Sequence, residues 1–125
     1  NLNSGKCGAM PKSKKKVICI DLDNTICRTR NNDYKNSKPI KQVISLINNL
    51  YEKGHIIKIF TARYMGRSGD NRTKAIKLGY KKTIKQLIAW KVKFHILIMG
   101  KPSYDILIDD KAIGFNRKWF KSFKL

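Results

Sequence analysis

Four short apolar runs set the strongest limit on what this chain can fold into: Val17–Leu22, Ile56–Phe60, Phe94–Met99 and Ile106–Ile108. They are rich in Ile and Val and mostly continuous rather than alternating, the pattern of strands covered on both faces by helices. Between the first two, Val43, Ile44, Ile47, Leu50 and Tyr51 recur at helical spacing, with Pro39 near the first turn and Gly54 past the end. This predicts a helix over Pro39–Lys53. Tyr80, Ile84, Leu87 and Ile88 share one face of a second helix, Tyr80–Trp90. Strands alternating with helices predict an α/β fold, a three-layer Rossmann-like parallel sheet flanked by helices and joined by right-handed crossovers. Ligands of such sheets gather outside the carboxyl ends of the strands, so the site is expected just after Ile20, Phe60, Met99 and Ile108.

The remaining stretches are polar or glycine-rich. Cys27–Lys38 and Met65–Gly79 read as loops over the strand ends and are the places to seek substrate contacts. Phe115–Leu125, with Trp119, Phe120 and Phe123, reads as a short terminal helix packed on the sheet. Residues 1–16, with Lys12, Lys14, Lys15 and Lys16, read as a basic leader, disordered or foreign to the fold, ahead of a core at 17–125. At 125 residues the chain has room for one domain and not for separate cofactor and substrate domains. No apolar run approaches the roughly 20 residues of a membrane span. Nor does the basic N-terminal stretch carry the apolar core of a secretion signal. Three cysteines, Cys7, Cys19 and Cys27, without metal-ligand spacing, suit a reducing cytoplasm. Cys19 reads as a core residue and Cys27 as the one with reactive potential. His55 and His95 read as structural or surface-facing.

The chemistry is carried by residues that follow the strands. Asp21-Leu22-Asp23-Asn24-Thr25 leaves the first strand with carboxylates at i and i+2. Beside a divalent cation such a pair divides labour, one carboxylate attacking phosphorus while the other handles the leaving-group proton. Alone, an Asp-x-Asp is as readily a cap or turn. Thr61, Ala62 and Arg63 follow the second strand, where a hydroxyl and a backbone N–H can hold a phosphate oxygen. Gly100-Lys101-Pro102 follows the third and offers an ammonium to a transferring phosphoryl group. Asp109-Asp110 follows the fourth, two carboxylates that repel unless a cation lies between them. The chain has only 8 acidic residues, so these four aspartates are half of its negative charge.

In this order and at these positions, Asp21-x-Asp23-x-Thr25, Thr61, Lys101 and Asp109-Asp110 resemble the four signature motifs of the haloacid dehalogenase superfamily, over roughly Val17 to Lys111. The resemblance implies Mg²⁺ and a phospho-aspartyl intermediate on Asp21. It implies Asp23 as general acid and base, lending its carbonyl to the metal. Phosphate binding would fall to Leu22, Thr61, Ala62 and Lys101, and metal binding to Asp21, Asp23, Asp109 and Asp110. Asp110 is favoured as inner-sphere ligand, and Asp109 as the residue that orders a metal-bound water. With Asp at position 23, phosphatase or phosphotransferase chemistry is the implied class. The segments around Tyr34–Ile40 and Met99–Lys111 further resemble small members associated with polysaccharide and nucleotide-sugar biosynthesis.

Many phosphatases of that superfamily insert a cap domain, and neither Thr25–Thr61 nor Thr61–Lys101 has room for one. An uncapped site must be closed by its loops or by a second copy of the chain, or else admit large substrates. Two enzyme readings follow. In the first, the substrate is a small phosphorylated sugar or related metabolite, gripped by Arg28, Arg30, Tyr34, Arg63 or Arg67. In the second, the formal net charge of +20 serves a phosphorylated nucleic-acid end. The Lys excess is spread along the chain and reads as composition more than as a built stripe, which places the second reading behind the first. A third reading is an inactive relative or basic binding module.

Overall fold

A computed structural model describes residues 14–125. The parallel sheet forms from β1 (Val17–Asp21), β4 (Ile56–Thr61) and β5 (Ile96–Met99), in the order β1-β4-β5. Its register pairs Ile20 with Ile59, and Ile59 with Leu97. A small antiparallel hairpin, β2 (Cys27–Arg28) with β3 (Lys38–Pro39), follows β1. Helix α1 (Lys41–Glu52) links β1 to β4 by way of this hairpin, and α2 (Arg72–Ala89) links β4 to β5. A one-turn helix α3 (Trp119–Ser122) packs on α1, with Trp119 edge-on to Phe120 and Phe123. No helix of the described residues is long and apolar enough to cross a membrane.

Strand alternation shows where the core lies. Ile20, Ile57, Ile59, Leu97 and Met99 are buried together with Val43, Ile44, Ile47 and Leu50 of α1 and Ala75 and Leu87 of α2. Burying each of the large aliphatics contributes about 1.5–3 kcal/mol. On the opposite face Val17, Cys19, Ile56 and Ile96 are exposed. Two successive right-handed crossovers that step in the same direction put both helices on one side. The outer layer expected on the second face is therefore not formed among the described residues, and Cys19, expected in the core, lies on that bare face.

Three further expectations need correction. Ile106–Ile108 forms no strand, and Ile108 is 93% exposed. Only six residues separate it from Met99, whereas a parallel crossover takes a dozen or more. The second helix begins at Arg72 rather than Tyr80, capped by the Asn71 side chain, which accepts from the Lys74 N–H at 3.0 Å. Its inner face is Ala75, Gly79, Thr83 and Leu87, mostly small residues, while Ile88 points outward. The end of the expected leader is part of the fold: the Lys16 N–H donates to His55 Nδ1 at 3.0 Å, and its carbonyl accepts from the Ile56 N–H at 2.9 Å. Residues 1–13 of the leader, Cys7 included, lie outside the described residues. Both histidines are structural, His95 Nδ1 accepting from the Ile57 N–H at 3.0 Å.

Candidate active site at the strand ends

Asp21 ends β1 on the bare face of the sheet. Its Oδ1 accepts from Lys101 Nζ at 3.0 Å, and its Oδ2 from Thr25 Oγ1 at 3.2 Å. Lys101 is aimed there by backbone geometry. Gly100 has φ +97, and a Cβ on it would meet the Arg72 stem at 2.6 Å, so only glycine fits this corner. The Lys101 N–H then donates to the Thr61 carbonyl at 3.1 Å, tying the end of β5 to the end of β4. The Tyr104 ring lies 5.2 Å from the ammonium.

Asp23 belongs to a second, more enclosed cluster. Leu22 is fully buried, and its carbonyl accepts from the N–H groups of Thr25, Ile26 and Cys27, with Asn24 in the left-handed conformation that asparagine tolerates. This tight turn presents Asp23 to Arg63, which donates from Nε to Oδ2 at 2.9 Å and from Nη2 to Oδ1 at 2.9 Å. Arg63 is 2% exposed and Asp23 21%. Removing one partner from so buried a pair costs about 3–5 kcal/mol. Nη1 of Arg63 donates to Gln86 Oε1 at 2.7 Å, Nη2 reaches Ser37 Oγ at 3.3 Å, and the guanidinium lies 4.8 Å from the Tyr34 ring centre. Gln86 Nε2 in turn donates to the Tyr34 carbonyl at 2.7 Å. Cys27, enclosed by Leu22, Asp23 and Thr29, is a buried thiol whose burial raises its pKa, contrary to the reactive role considered for it.

Two groups form among the expected residues. Asp21, Thr25 and Lys101 meet, and so do Asp23 and Arg63. Thr61 is 1% exposed and turned to the covered face, its Oγ1 accepting from the Arg63 N–H at 3.0 Å. Its hydroxyl shapes the turn and is not offered to solvent; Ala62 follows it, half-buried. Asp109 and Asp110 lie on the exposed stretch that follows Lys101, where Asp109 Oδ1 accepts from the Lys111 N–H at 2.8 Å, and the Asp109 charge, like those of Asp21 and Lys101, is felt at the Cys19 thiol. Among the described residues no three His, Cys, Asp or Glu side chains are arranged to hold a metal ion. Asp21 and Asp23 are each engaged by a cation of the chain itself, Lys101 and Arg63, so as placed these two carboxylates do not form a ready Mg²⁺ site.

Of the expected substrate contacts, Arg63 is consumed internally. Arg67 is exposed, donates to the Asn32 carbonyl at 3.0 Å and covers the rings of Tyr34 and Tyr64. Arg28 reaches the Asn24 carbonyl at 3.3 Å, and Arg30 is exposed. Two residues not anticipated from the pattern hold the cluster together, Gln86 and Tyr64. Tyr64 has φ +67, which costs a bulky residue roughly 1–3 kcal/mol, and packs 4.9 Å from Tyr34.

Fold and site together define a mixed α/β protein with acid–base pairs at the carboxyl ends of parallel strands. No family model matches the chain, and no curated protein matches it. Among solved structures, the crystal structure of an MCSG target from Vibrio cholerae is similar, with TM-score 0.75 and 30% sequence identity over 90% of this chain and 91% of that one. The chain belongs to the same family as that protein.

Proposed function

We propose that the chain is a phosphomonoester hydrolase of the haloacid dehalogenase type, acting through a phospho-aspartyl intermediate on Asp21, with a small phosphorylated sugar or related metabolite as substrate. The observation that carries this reading is the Asp21 carboxylate at a strand end, 3.0 Å from the Lys101 ammonium, with a second carboxylate two residues on. In this scheme an Asp21 oxygen attacks phosphorus and the ester P–O bond breaks. The leaving oxygen takes a proton from Asp23. Water then gives a proton to Asp23 and attacks phosphorus, releasing phosphate and restoring Asp21. Lys101 neutralises charge on the phosphoryl oxygens. A Mg²⁺ requirement enters through the motif resemblance alone, and no step here is routed through the metal.

A second reading, a phosphorylated nucleic-acid end, is favoured by one feature. Helix α2 carries Lys74, Lys77, Lys81 and Lys85 along its exposed side and no acidic residue. A single assay series separates the readings. Sugar phosphates and a 3′-phosphorylated oligonucleotide are offered with Mg²⁺ at low and moderate salt, to the wild type and to Asp21→Asn. Phosphate release from the sugar phosphates that is lost in Asp21→Asn supports the first reading. Release from the oligonucleotide alone, weakening as salt rises, supports the second. Inactivity on every ester rejects the hydrolase and leaves a basic binding module, whereas turnover unchanged in Asp21→Asn rejects Asp21 as the nucleophile.

A further inference from the structure

We infer that Arg63 is the positioning residue of Asp23, and that Oδ2 of Asp23 is the oxygen through which the proton passes; this rests on the reading of Asp23 as general acid and base. The two oxygens of Asp23 are not equivalent. Oδ1 accepts from Arg63 Nη2 at 2.9 Å, from Arg63 Nε at 3.2 Å, from Cys27 Sγ at 3.6 Å and from Thr29 Oγ1. Oδ2, among the described residues, accepts only from Arg63 Nε, at 2.9 Å. A carboxylate oxygen offers two lone pairs. Oδ1 has spent its capacity on anchoring, whereas Oδ2 keeps one lone pair for a proton.

Arg63 cannot also serve as a substrate grip. Its Nε and both terminal nitrogens are engaged, by Asp23, Gln86 and Ser37. These partners come from the β1 turn, from α2 and from the edge of the hairpin, so the guanidinium is fixed from three directions. Arg63 thus acts through Asp23, fixing which oxygen faces the reaction and at what angle. A general acid gains its rate advantage only when held within hydrogen-bond reach of the leaving oxygen.

Leaving-group dependence tests this in the full chain. p-Nitrophenyl phosphate expels an anion that needs no proton, whereas an alkyl phosphate expels an oxygen that does. Arg63→Met is expected to lower kcat on the alkyl phosphate by roughly 100-fold, but on p-nitrophenyl phosphate by less than about fivefold, with KM little changed. Asp23→Asn should show the same selectivity, and the double variant should be no worse than Asp23→Asn alone. Should Arg63→Met fail to fold by circular dichroism, Arg63→Lys carries the same comparison, since one ammonium cannot fork onto both oxygens. Equal losses on the two esters, or losses that multiply in the double variant, overturn the inference while the hydrolase reading stands. Wild-type inactivity on both esters overturns the reading as a hydrolase of small phosphate esters, and the inference with it.

Discussion

Nζ of Lys101 stands 3.0 Å from Oδ1 of Asp21, across 80 positions of sequence, in a contact set by the glycine corner before the lysine. Burial pulls the Lys101 ammonium down. The Tyr104 hydroxyl and the Asp21 carboxylate outweigh it, so the pKa is raised above the ordinary lysine value. The group binds its proton more tightly folded than unfolded. Its stabilising contribution is therefore whole below the unfolded value of about 10.4 and is lost as pH rises through the higher folded one. Lys101→Met should lower kcat by about 10²–10³-fold if the ammonium meets the phosphoryl group. Any fall in wild-type kcat between pH 7 and 9 should persist in Lys101→Met, and its disappearance would show that Lys101 titrates in that range.

Gly79 lies in mid-helix, and a Cβ there would stand 1.9 Å from Cε2 of Tyr64. Gly79→Ala gains about 1 kcal/mol of helix propensity. The displaced ring should more than offset this, for a net loss of about 1–3 kcal/mol. Urea denaturation gives the sign directly, and a more stable variant would contradict the packing.

Thr83 is buried in α2, and among the described residues its Oγ1 has no hydrogen-bond partner. Thr83→Val keeps the shape and removes an unsatisfied hydroxyl, so it should stabilise the fold by about 1 kcal/mol. A lower urea midpoint would indicate that the hydroxyl finds a partner in solution.

Cys19 and Cys27 both have thiols raised by burial, Cys27 with its Thr29 contact and Cys19 with Lys101 and Lys58 pulling the other way. At pH 8 iodoacetamide should label Cys19 more slowly than a model thiol, and Cys27 only on unfolding. Mass spectrometry of the labelled peptides checks this, and rapid labelling of Cys27 in the folded chain would show that its turn opens.

What could be read ahead of the structure depended on the size of the residues that form the signal. Helix α1 was legible because its inner face is Val43, Ile44, Ile47 and Leu50, and β1, β4 and β5 because each is an Ile-rich run. The first two turns of α2 were not, because Ala75 and Gly79 carry the inner face and a hydropathy pattern gives them little weight. The Asp21–Lys101 meeting followed from their places at strand ends. The Arg63 network did not, since nothing local distinguishes an arginine folded inward onto Asp23 from one facing solvent. Ile106–Ile108 misled because an apolar triplet has the composition of a strand without the connection length that would let it join one.

The bare face of the sheet bears on how copies of this chain treat one another. Lys58 stands there in register between Cys19 and Ile96, an ammonium among the exposed residues Val17, Cys19, Ile56 and Ile96. A second sheet laid on that surface would have to strip the ammonium of water, in a chain with few carboxylates to pair with it. The formal charge of +20 adds a long-range repulsion, but its reach shrinks to about 3 Å at 1 M salt. At high ionic strength the desolvation of Lys58 remains as a guard against face-to-face stacking when the long-range repulsion has gone.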